Sequence, residues 1–244
     1  MKTILLTLEY DGTDFVGWQI QPNGRSVQEV LEAALARVLG SPVRVHSAGR
    51  TDAGVHARGM PAHFETAAGL PLAAYREGVN RLLPPDVAVR EAVEASQGFH
   101  ARFDARGKWY RYSIYCAPVR SPLLGRSAWH IRSALDLPAM CRAAQDFVGS
   151  HDFAAFRAAG CDARTTVREV FSVQLEQQGE LLLIDVRGGG FLRHMVRVMV
   201  GTLVEIGMGR RPATDVTQLL GHGCRQKAGR TAPAHGLCLM EVWY

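Results

Sequence analysis

The sequence predicts an α+β protein built from two consecutive modules, each with the β-α-β-β-α-β order of a ferredoxin-like fold. Two observations carry this prediction. Short runs rich in β-forming residues alternate with stretches of helical periodicity, and the same order of elements occurs in residues 1–105 and again in residues 106–244. The halves share no obvious sequence repeat, so the duplication rests on element order alone.

The first module begins with a strand and a helix whose ends are marked by local chemistry. Residues 3–10 are rich in β-forming side chains and stop at the turn sequence Asp11-Gly12-Thr13. Ser26 and Glu29 form a capping-box pattern, and apolar residues at helical spacing continue from there to Gly40. The remaining elements are predicted as strands at 42–47 and 60–66 around a loop from Gly49 to Gly59, a helix at about 71–83 and a strand at 87–93.

The second module is predicted from the same kinds of signal. A Tyr-rich strand near 108–116 opens it, and Asp136-Leu137-Pro138 marks the start of a helix that ends at Gly149. The remaining elements are predicted as strands at 167–177 and 180–187 joined by Gln178-Gly179, a helix at about 191–207 and a strand at 237–243.

We expect the antiparallel sheets of the two modules to join edge to edge, with the helices on one face. The opposite face would then form a long open groove. A groove of that shape suits a polynucleotide, so an RNA-binding cleft is expected there.

The composition favours a soluble protein of a reducing cytoplasm. No apolar run approaches the roughly 18 to 20 residues of a membrane span, and the N-terminus is interpreted as a strand rather than a signal peptide. The five cysteines are scattered and never form a Cys-x-x-Cys pair, which argues against a disulfide framework or a zinc knuckle. The net charge of +5, carried mostly by arginine, permits a nucleic-acid partner and is also ordinary for a cytosolic protein.

The segment from Ala48 to Ala57 is the most informative for function. It places Asp52 between Gly49 and Gly54, where the backbone can approach a ligand closely. Arg50, two residues away, can keep the carboxylate ionised and oriented, which is what a nucleophile needs. From these residues alone, however, an Asp that merely caps a turn is the commoner outcome.

The run Gly49-Arg50-Thr51-Asp52-Ala53-Gly54-Val55-His56 resembles the active-site loop of the tRNA pseudouridine synthase A (TruA) family. The resemblance covers the whole chain. The other matching segments are Tyr10–Gln19, Arg25–Gln28, Phe99–Phe103, Tyr110–Tyr112, Asp152-Phe153, Arg164-Thr165 and Phe191–Arg197. One departure is Met60-Pro61, where the family more often has Gln and a β-former; a proline there is expected at an edge or a bulge.

The resemblance implies that Asp52 is the catalytic nucleophile, that Arg197 pairs with it and that Tyr110 packs against the target base. It also implies tRNA as the substrate, modified at uridines 38, 39 and 40, and a homodimer that needs no cofactor and no metal. On the predicted helix 191–207, Arg193 and Arg197 lie one turn apart on a basic stripe, which would otherwise be interpreted as a solvated face. The further substrate contacts are predicted to be Arg25, Arg50, Arg58, Arg102, Arg106, Arg111, Arg164 and Leu237.

Two points of chemistry stay open. Asp52 could attack C1′ of the nucleotide or promote elimination to a glycal. The Tyr110 ring should stack on the base, and its phenol could also remove the proton from C5.

Three other functions are weighed against this one. Gly188-Gly189-Gly190 between a strand and a helix superficially resembles a phosphate-binding loop, but no Gly-Lys-Ser/Thr follows. A non-catalytic RNA-binding protein would leave the Asp52 loop unexplained, and the chain lacks the paired aromatic signature of such modules. The nine histidines form no metal-binding spacing, and Gly221-His222-Gly223-Cys224 is predicted to be a loop.

Overall fold

In a computed structural model of the chain, which describes residues 1–158, 160 and 163–244, the polypeptide divides into two compact units. Unit 1 consists of Met1–Arg106 together with Cys238–Tyr244, and unit 2 consists of Gly107–Leu237. Each unit contains a sheet and helices, which confirms the predicted α+β class. The predicted modules differ from these units mainly in the last strand, which lies in unit 1 from its second residue, Cys238, onward.

Unit 1 contains strands β1 (Lys2–Tyr10), β2 (His46–Ser47), β3 (His56–Thr66), β4 (Val87–Ala95) and β10 (Leu237–Trp243), and helix α1 (Val27–Leu39). Its strands are ordered β4-β1-β3-β10, and β2 pairs with β3. The pairings are antiparallel except for β10 on β3, where Cys238 lies opposite His56 in a parallel register. Gly59 permits this approach, because a side chain there would put its Cβ 2.6 Å from the Met240 carbonyl oxygen.

Helix α1 confirms the capping-box prediction. The Ser26 hydroxyl accepts the Glu29 N–H and the Glu29 carboxylate accepts the Ser26 N–H, both at 3.3 Å. The helix ends at Gly40, whose φ of 74° is favourable for glycine. Its apolar residues on one side, including Leu31 and Leu35, are buried, so the amphipathic pattern fixes which face meets the sheet.

Two elements of unit 1 are shorter than predicted. The strand expected at 42–47 is reduced to His46–Ser47. The helix expected at about 71–83 spans only residues 72–80 and contains a π-helical turn, Ala74–Gly78. At its end, the Asn80 side-chain amide forms hydrogen bonds with both the N–H and the carbonyl of Val89, each at 2.8 Å. This pairing ties the helix end to β4.

Pro61 lies inside β3 with strands on both sides rather than on an outer edge. It is opposite Thr7 on β1, and its carbonyl accepts the Ala48 N–H at 2.8 Å. Between Met60 and Ala57, β3 carries one residue more than β1, so a bulge immediately precedes the Met60-Pro61 pair. Pro61 has no N–H to donate, and this position faces β2. Because β2 pairs with β3 only at His63 and Ala62, the ladder on that side is short and little pairing is lost.

Unit 2 contains strands β5 (Gly107–Cys116), β6 (Trp129–Ile131), β7 (Gly149–Asp152), β8 (Val167–Gln178) and β9 (Leu181–Gly188), and helices α2 (Leu137–Gln145), α3 (Met195–Gly207) and α4 (Asp215–His222). The strand order is β5-β9-β8-β7, and β6 adds to β5 in parallel. No helix of the described chain is long and apolar enough to cross a membrane.

The second unit corrects several predictions. Helix α3 begins at Met195 instead of 191, because His194 has a φ of 63°, which cannot continue a right-handed helix. Arg193 therefore precedes the helix, and the predicted basic stripe with Arg197 is wrong. Helix α2 stops at Gln145, and Gly149 begins a strand. Strands β6 and β7 and helix α4 were not predicted, and the first half of the predicted loop 221–224 is the end of α4.

Candidate active site

The loop that carries Asp52 is held by the segment that follows β1, residues 12–18. The Trp18 N–H donates to the Thr51 carbonyl at 3.1 Å. Gly17 forms an isolated antiparallel bridge with Asp52 itself. The backbone of the predicted nucleophile is therefore paired with a neighbouring stretch of chain, although the residue lies in a loop.

The far end of the same loop is fixed independently. The Gly54 N–H donates to the Phe15 carbonyl at 3.3 Å, and the Val55 N–H closes a turn onto the Asp52 carbonyl at 3.1 Å. Gly54 has a φ of 77°, so the turn needs glycine at this position. Two separate backbone anchors thus hold the loop on either side of its carboxylate.

A buried side-chain hydrogen bond joins the loop to β1. The hydroxyl groups of Tyr10 and Thr51 lie 2.8 Å apart, and either can donate. Both residues are buried, and the Trp18 ring lies 6.3 Å from the Tyr10 ring between centroids. Because this bond lies in the buried interior, it holds Thr51 in position next to the catalytic candidate.

Gly17 is required by close approach as well as by conformation. Its φ is 114°, and a Cβ on it would lie 2.7 Å from the Thr51 carbonyl oxygen and 3.2 Å from the Asp52 carbonyl carbon. Only a residue without a side chain lets the two segments come this close. The glycine is therefore part of the support for the loop.

The side chains of the loop divide into buried and accessible groups. Thr51 and Val55 are buried, Asp52 is half-buried and Arg50 is exposed. At the end of the loop, His56 Nδ1 accepts the Gly12 N–H at 3.0 Å. A carboxylate in this setting can reach a ligand while its backbone stays in place, which is the requirement for a preorganised nucleophile.

In unit 2, Tyr110 lies on β5 and its ring meets Phe191 edge to face, with centroids 5.4 Å apart and planes at 88°. Tyr110 is half-buried and pairs with Val186 on β9. Phe191 belongs to the turn that leads into α3. An edge-on aromatic contact fixes the orientation of a ring while leaving part of its face open.

Arg197 lies in the first turn of α3 and is bound by the segment 229–233, here called the strap. Its Nε donates to the Ala232 carbonyl at 2.8 Å, and the Ala232 N–H donates back to the Arg197 carbonyl at 3.0 Å. The strap is anchored at each side of this pair. The Gly229 N–H donates to the Thr202 hydroxyl at 3.0 Å, and the Tyr112 hydroxyl donates to the Pro233 carbonyl at 2.8 Å.

Burial raises the pKa of the Tyr112 phenol well above its usual range, although the charges of Arg197 and Arg230 act in the opposite direction. Tyr112 is therefore a neutral hydrogen-bond donor at any working pH. Gly236 packs directly on its ring, where a Cβ would lie 2.6 Å from Cε1. The Tyr112 anchor of the strap is thus rigid and permanently protonated.

The predicted substrate-contacting arginines differ in availability. Arg25 already makes a bidentate pair with Asp86, at 2.8 and 2.9 Å, over the ring of Phe15. Arg111 makes a bidentate pair with Asp185, at 2.8 Å for both bonds. Burial acts to raise the pKa of Asp185, but the hydrogen bonds and charge of Arg111 outweigh it and the pKa is lowered.

The other predicted contacts are accessible, with one exception. Leu237, at the start of β10, is only 5% exposed. The exposed arginines of the set are Arg50, Arg58, Arg102, Arg106 and Arg164. These exposed side chains are accessible to a phosphate.

Several supporting residues were not singled out from the sequence. Tyr10, Thr51 and Phe191 all lie in segments quoted for the family resemblance, so the signal was present without a role attached to it. The strap had no such signal, since its contribution is a backbone carbonyl. Within the described ranges, no group of three or more His, Cys, Asp or Glu side chains could hold a metal ion.

Comparison with known proteins extends over the whole chain. A family model described as tRNA pseudouridine synthase matches residues 7–104 and 143–244. The chain is 64% identical, over all of its length and 97% of the relative, to tRNA pseudouridine synthase A of Syntrophotalea carbinolica. It is 58% identical over the full length of both chains to the protein of that name from Pelobacter propionicus. For the one from Myxococcus xanthus the identity is 52%, over 100% of this chain and 92% of the relative.

Proposed function

The chain belongs to the tRNA pseudouridine synthase family, isomerases that convert uridine in tRNA to pseudouridine, and on that premise we propose that Asp52 is the nucleophile of this reaction. The observation that carries the proposal is the support of the Asp52 loop. Its backbone is held on both sides by residues 12–18, while the carboxylate stays half-exposed. Such a fixed, reachable carboxylate is what covalent or elimination chemistry at a sugar carbon requires.

The reaction balances without a cofactor. The N1–C1′ bond of uridine breaks, the uracil turns, and a C5–C1′ bond forms; the C5 proton leaves and N1 takes up a proton. Asp52 acts either by attack on C1′ or by promoting elimination to a glycal. Both routes need the carboxylate ionised and the detached uracil retained in the site.

Tyr110 and Arg197 are proposed to serve the same reaction. The Tyr110 ring, oriented by Phe191, is proposed to stack on the target base, and its phenol could also remove the C5 proton. Arg197 supplies a cation whose orientation is set by the strap carbonyl of Ala232. A guanidinium held through Nε presents its two terminal nitrogens in one plane, which suits a carboxylate partner.

The targets are proposed to be uridines 38, 39 and 40, at the junction of loop and stem in the anticodon arm. The enzyme must flip each nucleotide out of its stack, which costs least near a loop. Exposed arginines would hold the phosphates, namely Arg50, Arg58, Arg102, Arg106 and Arg164. Arg25 and Arg111 would contact the RNA while they remain paired with Asp86 and Asp185, respectively. Leu237 would offer an apolar contact.

We also propose that the enzyme works in the cytoplasm as a homodimer, so that one tRNA can touch both subunits. Cysteines that form no disulfide fit a reducing compartment. In the described part of the chain these are Cys116, Cys141, Cys224 and Cys238, and Cys161 lies outside it. Mass measurement in solution by light scattering tests the dimer.

The direct test of the nucleophile is Asp52→Asn, assayed with unmodified tRNA for pseudouridine yield and for affinity. We expect the rate to fall by about 1,000-fold or more while the Kd changes little, because the substitution removes the reactive charge and keeps the shape. Glu91→Gln, which removes an equal charge from the exposed side of β4, is the control and should retain full activity. Normal activity of Asp52→Asn would rule out the mechanism.

A further inference from the structure

Residues 99–104 form a tight turn in which every backbone N–H donates a hydrogen bond. His100 organises it: its N–H donates to the Asp104 carboxylate at 2.8 Å, and its Nδ1 accepts the Arg102 N–H at 3.1 Å. The Phe103 and Asp104 N–H groups both donate to the His100 carbonyl, at 3.1 and 3.0 Å. The turn is therefore a rigid mount for the side chains that it carries.

The turn is also tied to the interior of unit 1 through Ala101. This buried residue donates its N–H to His63 Nδ1 at 3.2 Å, and its carbonyl accepts the Tyr244 hydroxyl at 2.9 Å. His63 is itself 5% exposed. The position of the turn is thus set by the core of the unit.

A column of three rings, His63, His100 and Phe103, leads outward from that core. His63 lies 5.3 Å from His46 and 4.7 Å from His100 between ring centroids. His100 in turn lies 4.2 Å from Phe103, with the planes inclined by 30°. The column ends at Phe103, which is 75% exposed. Its ring contacts the His100 imidazole, and most of its surface is exposed to solvent.

The surroundings of Phe103 are polar. Its chain neighbours Arg102 and Asp104 are both exposed, and the Arg102 guanidinium lies 5.8 Å from the Phe103 ring centroid. The negative charge of Asp104 is already used to bind the His100 N–H. Protein partners cover contiguous apolar patches. A single rigid ring with a cation beside it instead matches an unpaired nucleobase, which needs one π-face and a nearby charge for its phosphate.

We propose that Phe103 is a stacking platform for an unpaired base of the RNA substrate, with Arg102 on the adjoining phosphate. This rests on the proposed function only in taking RNA as the partner. Because the His100 ring and the turn hold Phe103 in place beforehand, stacking costs little side-chain entropy. The platform contributes to binding and not to bond breaking, since Phe103 has no group that reacts.

The test is the affinity for unmodified tRNA in an Asp52→Asn background, where we expect turnover to be too slow to disturb a binding measurement. We expect Phe103→Ala to weaken binding about tenfold, within the range measured for loss of one stacked base. Phe103→Trp should restore affinity, and Phe103→Leu should not, because leucine keeps the apolar bulk without the π-face. In the background that retains the wild-type Asp52, Phe103→Ala should raise KM and leave kcat unchanged.

Leu123→Ala is the matched control, since Leu123 is an even more exposed apolar side chain, at 92%, in unit 2. It should bind tRNA normally. Wild-type affinity of Phe103→Ala, or full rescue by Phe103→Leu, would overturn the proposal. A change of solution mass in Phe103→Ala would overturn it as well, by showing that a second copy of the chain covers the ring. Because these are binding measurements, they stay informative even if Asp52→Asn proves active.

Discussion

The hydroxyl of Tyr10 lies 2.8 Å from the hydroxyl of Thr51, across a separation of 41 residues and in the buried interior of unit 1. Thr51 directly precedes Asp52, so this bond sets where the loop leaves the core. The strand that begins the fold thereby takes part in positioning the proposed nucleophile.

Thr51→Val should remove this buried bond between the loop and β1. We expect the unfolding free energy to fall by about 1 to 2 kcal/mol and kcat to fall more than KM rises, because the loop loses its fixed position. Thr51→Ser, which keeps the hydroxyl, is the control. Steady-state kinetics with urea unfolding checks this, and kcat equal to wild type in Thr51→Val would refute the positioning role.

Gly17→Ala should reduce both stability and activity, through a steric clash as well as through the positive φ of this residue. The new Cβ would meet the Thr51 carbonyl oxygen at 2.7 Å at a φ of 114°, so we expect a loss of about 2 kcal/mol or more and strongly reduced activity. Gly40→Ala also has a positive φ, 74°, but has open space around it. It should cost about 1 kcal/mol and keep activity. Equal effects at both positions in thermal melts would contradict the packing argument.

Arg197→Lys should keep the charge and lose the geometry. Lysine has no Nε–H to donate to the Ala232 carbonyl, which the arginine reaches at 2.8 Å. We expect the single-turnover rate to drop at least about tenfold, with a stability loss near 1 kcal/mol. Arg193→Lys, at an exposed position before α3, should behave as wild type. If Arg197→Lys kept the normal rate, a fixed guanidinium plane would not be needed.

The stability of unit 1 should decrease as the pH falls below about 6.5, the ordinary pKa of histidine. Burial of His63, with the charges of His100 and His46, lowers its pKa in the folded state, while Glu65 and a bond to the His46 backbone act to raise it. The unfolded chain therefore takes up the proton first, which favours unfolding below that pH. Protonation also removes the acceptor of the Ala101 N–H.

His63→Asn retains an acceptor oxygen and cannot titrate in this range. Urea unfolding at pH 7.5 and pH 5.5 should show a smaller loss for this variant than for the wild type. His151→Asn, in the exposed β7 region of unit 2, serves as the comparison and should keep the wild-type pH dependence. An unchanged pH dependence in His63→Asn would assign the effect to other groups.

Features set by local chemistry were predictable from the sequence. Ser26, Glu29 and Gly40 mark both ends of α1 because capping depends on residues a few positions apart. The strand at 237–243 was predicted for the same reason, from its own composition. The sequence did not predict that this strand belongs to unit 1, because its pairing there depends on the close approach of Gly59 to Met240.

Backbone conformation and distant partners limited the rest. No sequence pattern indicated the positive φ of His194, and the predicted helix therefore began one turn too early. The Asp52 loop was identified from its own residues and from the family resemblance. The pairing of Tyr10 with Thr51 was not predicted, because a hydrogen bond between residues 41 positions apart produces no periodic pattern in the sequence.

The placement of β10 also has a consequence during synthesis. Residues 238–244 complete the sheet of unit 1 beside β3, yet they are made after all of unit 2. Unit 2 is contiguous in the chain and can fold as soon as it leaves the ribosome, whereas unit 1 waits with the His56 end of β3 unpaired on that side. The strand that leads out of the proposed catalytic loop therefore gains its β10 partner only after residues 238–244 have been made.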